Sequence, residues 1–572
     1  MTRKIGRLDS LLKFTLLATF ATTPILAQTL RDRLPEDEVI YFVLPDRFEN
    51  GDRTNDKGGL SGDRMVTGFD PSHKGFYHGG DLAGLVQRLD YIQGMGATAI
   101  WFAPIFRNKP VQGGPGEESA GYHGYWVTDF TSVDPHFGSD AEFKAFVDAA
   151  HARGMKVYMD IITNHSADVI QYAECPNSAC SYRSRADYPD KAYTPIVPKG
   201  EEKVKVPAWM NDVQYYHNRG NTTFRGENSI MGDFVGLDDF ATENPRVVEG
   251  FIDVYKGWID RFGIDGYRID TARHVNPEFW AVFAPAIMAH AKSRGIPNFH
   301  IFGEVASDGI DVQAQALHTR VAKLPTVLDF VFRRAAIETV TGRAGTDLLA
   351  TLFEGDDLYE GGKQTAKQLP SFLGNHDFGR FAREMRVAHP EADDAEILQR
   401  VLLGHAMMMT LRGVPTIYSG DEQGFAGDGN DQDAREDMFP SKVAVYNDND
   451  LVGTDATTAD SNFDTRHPIY TAIADLAKLR HEQVALRRGD QIVRNYSEKP
   501  GLFAASRIDP ASGEHVLIAF NTSKEALNAN VEVEKSVKKL EVLRGNCPSA
   551  PRLAGSVAVS LPAFGYMVCK VK

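Results

Sequence analysis

The stretch DGYRIDTARHV, Asp265 to Val275, decides the fold. The run IDGYRID, from Ile264 to Asp270, reads as a strand that ends on a carboxylate. Alternate side chains of a strand share a face, so Arg268 and Asp270 point the same way. A guanidinium so placed favours the ionised carboxylate and aims it. His274 follows just beyond. An arginine–aspartate pair of this kind is either a structural ion pair or one corner of a site, and the other strands decide which.

Seven more runs have the same character: VIYFVLP (Val39–Pro45), ATAIWFAP (Ala97–Pro104), KVYMDII (Lys156–Ile162), FHIFGEV (Phe299–Val305), TVLDFVF (Thr326–Phe332), PSFLGN (Pro370–Asn375) and VPTIYSG (Val414–Gly420). Amphipathic segments such as DAEFKAFVDAAHARG lie between them. Near-continuous apolar strands alternating with helices indicate a parallel sheet buried on both faces. Eight such units predict an α/β fold of the (β/α)8 TIM-barrel type. A doubly wound open sheet satisfies the same strand count. Between Ile162 and Ile264 about a hundred residues intervene, far beyond an ordinary connection. That length predicts a small inserted domain. After about residue 490 the pattern becomes β-branched and alternating, which predicts a C-terminal antiparallel β domain. The expected division is a barrel from 28–162 and 241–489, an inserted domain from 163–240, and a C-terminal domain from 490–572.

The chain has 572 residues and a net charge of −15. Arg3, Lys4 and Arg7, an apolar run from Phe14 to Ala21, then Pro24 and Ala27, read as a secretory signal peptide over 1–27. The expected destination is secreted or periplasmic. Without that leader the chain holds 58 basic and 76 acidic residues, a net charge of −18. Such a surface disfavours nucleic acid and anionic membranes and suits neutral substrates and bound cations. The four cysteines allow three connectivities. Export makes disulfides plausible, and the two sequence-local pairs, Cys175 with Cys180 and Cys547 with Cys569, are favoured.

Two further strands also end on carboxylates, FHIFGEV on Glu304 and SFLGNHD on His376 and Asp377. In a barrel these ends lie on the face where active sites form. A core has little reason to collect three carboxylates there, because buried like charges repel and lose solvation. The same repulsion raises one carboxyl pKa, as glycosidic bond cleavage requires. MDIITNHSAD adds Asp160, Asn164 and His165, and GYHGYWVTD adds His123, Tyr125 and Trp126. Aromatic rings beside carboxylates suit sugars, whose C–H faces stack while their hydroxyls need polar partners.

Four of these segments in this order resemble the four conserved regions of the α-amylase family, glycoside hydrolase family thirteen: DIITNH, GYRIDTARH, GEV and FLGNHD. GLDDFATENPRV, Gly236 to Val247, resembles the family's extra region, although LDDF departs from the patterns that separate its branches. The resemblance implies that Asp270 is the nucleophile, Glu304 the general acid/base and Asp377 the carboxylate that holds substrate hydroxyls. It implies that Arg268 partners the nucleophile, that His165 and His376 bind the sugar at the cleavage point, and that Tyr125 stacks beneath it. The pair Arg273–His274 would line the leaving-group side and goes with α-1,4-glucan substrates. His123 and Trp126 complete the expected substrate-binding set.

The resemblance also implies Ca2+. One set of ligands would be Asn164, Asp239 and the His274 carbonyl. Asn50, Asp52, Asn55, Asp56, Gly79 and Asp81 resemble a second calcium loop, although Asn, Asp and Gly also make plain turns. GDGNDQDARED, Gly427 to Asp437, reads as a loop over the barrel top. The expected activity is double displacement at α-1,4 links of starch or maltodextrins by a monomer whose partner is the α-glucan. Within the family the alternatives are a cyclomaltodextrinase, an α-glucosidase or a transglycosylase. A non-catalytic relative is disfavoured by the complete carboxylate set.

Overall fold

The computed structural model describes residues 30–175, 179–307 and 309–572. The expected signal peptide lies outside them.

Eight parallel strands form one sheet: β1 (Ile40–Val43), β2 (Ala99–Phe102), β3 (Lys156–Ile161), β4 (Gly266–Ile269), β5 (His300–Gly303), β6 (Thr326–Val327), β7 (Pro370–Phe372) and β8 (Val414–Tyr418). They pair in the order β6-β5-β4-β3-β2-β1-β8-β7. The Asp329 N–H donates to the Pro370 carbonyl at 2.9 Å and brings the two ends of that order together. The result is a nearly closed barrel. The strands are buried throughout, which is why their sequence is apolar at consecutive positions rather than alternate ones.

β6 is shorter than TVLDFVF predicts. Only Thr326 and Val327 are strand, and a helix runs from Phe330 to Val340. Asp329 is the reason: its carboxylate accepts the Phe332 N–H and caps that helix. A run of seven residues, apolar or β-branched except for Asp329, therefore splits between two elements.

The helices outside the barrel begin and end where their caps dictate. The helix Asp140–Ala152 opens on Ser139, which accepts the Glu142 N–H. The helix Pro245–Phe262 has Asn244 as its cap and Pro245 in its first turn, and it stops at left-handed Gly263. Its inner stripe includes Phe251, Tyr255 and Trp258, each fully buried. Burying an aliphatic or phenylalanine side chain of this size contributes about 1.5–3 kcal/mol, which fastens the helix to the barrel wall.

Between β3 and the helix Pro245–Phe262 the chain makes short paired segments. His165–Ser166 pairs antiparallel with Asp238–Asp239, so the two ends of the insertion lie side by side above the barrel. Cys175–Cys180 is a disulfide within it. At the C-terminus, strands β9 (Asp490–Asn495), β10 (Leu502–Ile508), β11 (His515–Asn521), β12 (Leu527–Glu532), β13 (Leu540–Arg544), β14 (Ser556–Leu561) and β15 (Tyr566–Val571) are antiparallel. Five of them form one sheet in the order β9-β10-β11-β15-β13, and β12 pairs with β14. The second disulfide joins Cys547 to Cys569 on β15. Both cysteine pairs are the sequence-local ones. Among the described residues no helix is long and apolar enough to cross a membrane.

Candidate active site

The site is built around one buried cation. Strands β3 and β4 pair with Arg268 opposite Asp160, so both side chains rise from the same layer of the barrel. Arg268 is fully buried. Its Nη1 donates to both oxygens of Asp160 at 2.9 Å and to Asp270 Oδ1 at 2.8 Å. Its Nη2 lies 3.0 Å from Glu304 Oε2, at the end of β5. Beneath it, Trp101 stacks on Phe42 with ring centroids 3.8 Å apart and donates to Asp160 at 3.1 Å. This aromatic floor excludes water and fixes the carboxylate that fixes the arginine.

The backbone just after Asp270 is unusual. Thr271 has φ 48°, a left-handed conformation rare for a β-branched residue. That turn points its N–H at Glu304 Oε2, 3.0 Å away. Strain of this kind persists only where surrounding contacts enforce it, and here it ties the end of β4 to the end of β5.

Three carboxyls sharing one guanidinium in a dry layer titrate as a set. Burial pushes Asp160, Asp270 and Glu304 each up to about 7, and Arg268 pulls each back down. Asp377 adds to the upward push on both Asp270 and Glu304. The histidines go the other way. Burial holds His165 down at about 3 and His274 at about 4, and it keeps His123 and His376 well below the usual range. All four are neutral near pH 7, fit to exchange hydrogen bonds with hydroxyl groups.

These groups border one cavity of about 1100 Å³. Of the residues expected from sequence, Asp270, Glu304, Asp377, Tyr125, Trp126, His123, His165, Arg273 and His274 line it. Arg268 and His376 stand behind its wall. The ring of His376 is fully buried, with Nε2 2.9 Å from the Tyr125 hydroxyl, so it orients Tyr125 from behind. Asp377 is the most open of the three carboxylates, its side chain 33% exposed. Opposite lies a patch that sequence reading missed: Phe224, Phe234 and Val235, with Phe234 stacked on His165 at 5.7 Å. Phe224 and Val235 also have positive φ. Nothing in the local sequence marks them, because their place depends on how the insertion folds back. Arg435 was missed as well. It sits in the acidic loop after β8 and reaches Asp377 Oδ1 at 2.9 Å.

Two sets of residues offer oxygen ligands of the kind calcium takes. Asn164 and Asp239 adjoin where His165–Ser166 pairs with Asp238–Asp239. Asn164 Oδ1 is buried there and makes no hydrogen bond, while Asp239 is held by His217. The second set joins the loop after β1 to Gly79 and Asp81. Asn50 Nδ2 donates to Asp56 at 2.8 Å, and Asn55 Nδ2 to Asp81 at 3.1 Å. Asn50 Oδ1 and Asn55 Oδ1 are buried and unpaired. Gly79 has φ 100°, and a Cβ there would stand 2.5 Å from Asn50 Nδ2 and 2.7 Å from Asp56 Oδ1. The cradle is thus open only because the residue is glycine. Asp52 turns away, its Oδ1 accepting from Thr54. Among the described residues no group of three or more His, Cys, Asp or Glu side chains could by itself hold a metal ion, so each set would need amide and carbonyl oxygens beside its carboxylates.

A family model described as the alpha amylase catalytic domain matches residues 42–499. The chain is 42% identical over 558 residues to an α-amylase of Streptomyces lividans, covering 93% of this chain and 60% of that protein. It is 28% identical over 551 residues to a cyclomaltodextrin glucanotransferase of Klebsiella oxytoca, covering 92% of this chain and 74% of that one. The crystal structure of an Anoxybacillus α-amylase superposes with a TM-score of 0.70 at 28% identity, over 94% of this chain and 99% of that one.

Proposed function

The chain belongs to the α-amylase family, and we propose that it hydrolyses α-1,4-glucosidic bonds of starch and maltodextrins with retention of anomeric configuration. The observation that carries this reading is the placement of Asp270 and Glu304 on adjacent nitrogens of one guanidinium, with Asp377 on the same cavity. Adjacent nitrogens of one planar fork hold two carboxyls close. Retention calls for a separation of about 5–5.5 Å, whereas inversion needs room for a water between them.

In the first step Glu304 protonates the glycosidic oxygen while Asp270 attacks the anomeric carbon from the opposite face. The C–O bond to the leaving sugar breaks as the bond to Asp270 forms. In the second step Glu304, now a carboxylate, takes a proton from water as that water attacks the anomeric carbon and releases Asp270. Arg268 favours the anionic form of Asp270 against the effect of burial and orients it. Asp377 accepts hydrogen bonds from hydroxyls of the bound sugar, and Tyr125 offers a ring face beneath it. His165, His123 and His274 bind as neutral imidazoles, with Trp126 and Arg273 at the rim.

We assign calcium to the Asn50–Asp56 loop with Gly79 and Asp81, and to Asn164 with Asp239 and the His274 carbonyl. In both places the ion would supply charge and coordination that brace the loops it joins. No bond-making step involves it. Relatives include both an α-amylase and a cyclomaltodextrin glucanotransferase, which keeps cyclic substrates and glucosyl transfer as the second reading.

Product analysis on starch, pullulan and β-cyclodextrin tests the proposal. Starch should be cleaved to short maltodextrins, and Asp270→Asn should lose essentially all of that activity while melting within a few degrees of wild type. A wild type inert on starch, or an Asp270→Asn variant with normal turnover, refutes it.

A further inference from the structure

The loop Gly427–Asp437 carries one arginine among its acids, and that arginine is buried. Every donor group of Arg435 is engaged. Nε donates to the His376 carbonyl at 3.0 Å, Nη1 to the Tyr122 hydroxyl at 3.1 Å, and Nη2 to Asp377 Oδ1 at 2.9 Å. The same Nη2 contacts Asp431 at 2.5 Å. The backbones interlock too. The Asp431 N–H faces the Asp377 carbonyl at 3.3 Å, and a Cβ on Gly379 would stand 2.7 Å from Asn430 Oδ1. Next along, Arg380 donates to Glu436 and to Asp421. The loop after β8 thus clamps the turn after β7 on which Asp377 sits.

We infer that Arg435 is the positioning residue of Asp377: its anchored guanidinium fixes the direction of that carboxylate and offsets its charge as felt by Asp270 and Glu304. The inference rests on the proposed function, in which Asp377 holds substrate hydroxyls. The charged and titratable groups that face Arg435 are Asp377 and the mostly exposed Asp431 from the two loops, and Tyr122, His123 and His376 around them. Arg47 covers the Tyr122 ring, 3.9 Å from its centroid. Tyr122, Asp431 and Asp377 outweigh the effect of burial, so Arg435 remains a cation at any working pH. Removing it uncovers the Asp377 charge. An uncovered negative charge raises the pKa of neighbouring carboxyls, so both limbs of the activity profile should move to higher pH.

The test is the pH profile of kcat/KM on maltopentaose for wild type, R435Q and R435K. R435Q should lose roughly 10- to 100-fold, the usual effect of removing a group that orients a functional side chain. Both of its limbs should lie above those of wild type. R435K keeps the charge and loses the fork, so its limbs should return toward wild type while kcat/KM stays low. A part that is only structural would lower activity and leave the limbs in place, and that result in folded R435Q overturns the inference. If R435Q does not fold, R435M takes its place as the neutral variant: limbs raised above those of wild type support the inference, and limbs at their wild-type positions with reduced kcat/KM overturn it. An inactive wild type overturns the functional reading and this inference together, whereas an active wild type with unmoved limbs overturns only the part given to Arg435.

Discussion

At the scale of single residues, Glu304 must do two opposed things. It has to hold a proton at working pH and yet sit beside a cation that favours losing it. Burial decides the balance, raising its pKa from 4.5 to about 7 against the pull of Arg268. Because the folded-state pKa is the higher one, its contribution to stability is complete below about 4.5 and fades as pH rises through about 7. Two outcomes follow. Wild-type kcat/KM should fall on the alkaline side of about 7, as the acid loses its proton. Glu304→Gln, which cannot ionise, should melt like wild type at pH 5 and gain on it by about 1 kcal/mol or more at pH 8, while activity is lost. Equal melting temperatures at both values would show that Glu304 carries no buried charge. Asp270, Glu304 and Asp377 were legible in the sequence because each stands at the end of an apolar strand, where barrel geometry alone predicts convergence. Arg435 was not. It meets Asp377 across 58 positions of chain, and no local pattern marks a residue whose partner belongs to another loop.

At the scale of elements, most strands announced themselves by continuous apolar runs. β6 announced its place but not its length, because one capping aspartate, Asp329, divides its run between strand and helix. The insertion was legible by its length but not by its fold. Its short paired segments and positive-φ residues are set by contacts with the barrel rather than by periodicity. The loop after β1 offers the clearest element-scale test. If calcium is held by Asn50, Asn55, Asp56, Gly79 and Asp81, removing it leaves the unpaired oxygens of Asn50 and Asn55 buried. A bound ion at 100 times its dissociation constant stabilises by about 2.7 kcal/mol, so excess chelator should lower the melting temperature by about 2–3 °C, at about 1 °C per kcal/mol for a chain of this length. Gly79→Ala fills the cradle and should abolish most of that chelator response. A melting curve indifferent to chelator in both proteins removes calcium from that loop.

At the scale of the molecule, the parts are joined by buried cations that bond to carbonyls. Arg507, on β10, donates to the Thr410 and Gly489 carbonyls and ties the C-terminal sheet to the barrel's outer helices. Arg480 donates to the carbonyls of Glu36, Met409, Gly413 and Leu486 and fastens the chain before β1 to the same region. Burial lowers the pKa of both arginines, and the bonds to these carbonyls make their burial tolerable, with Arg480 Nε left without a partner. The barrel is thereby closed and braced at one end, leaving the other end to the cavity. There, one arginine gathers the carboxylates of three successive strands. The account stands on what that gathering does. The most direct measurement is proton NMR of the first products released from maltopentaose, before mutarotation. Attack by Asp270 followed by water on the same face predicts that the α-anomer appears first. Initial release of the β-anomer would contradict it, since a single displacement by water leaves Asp270 no covalent part to play.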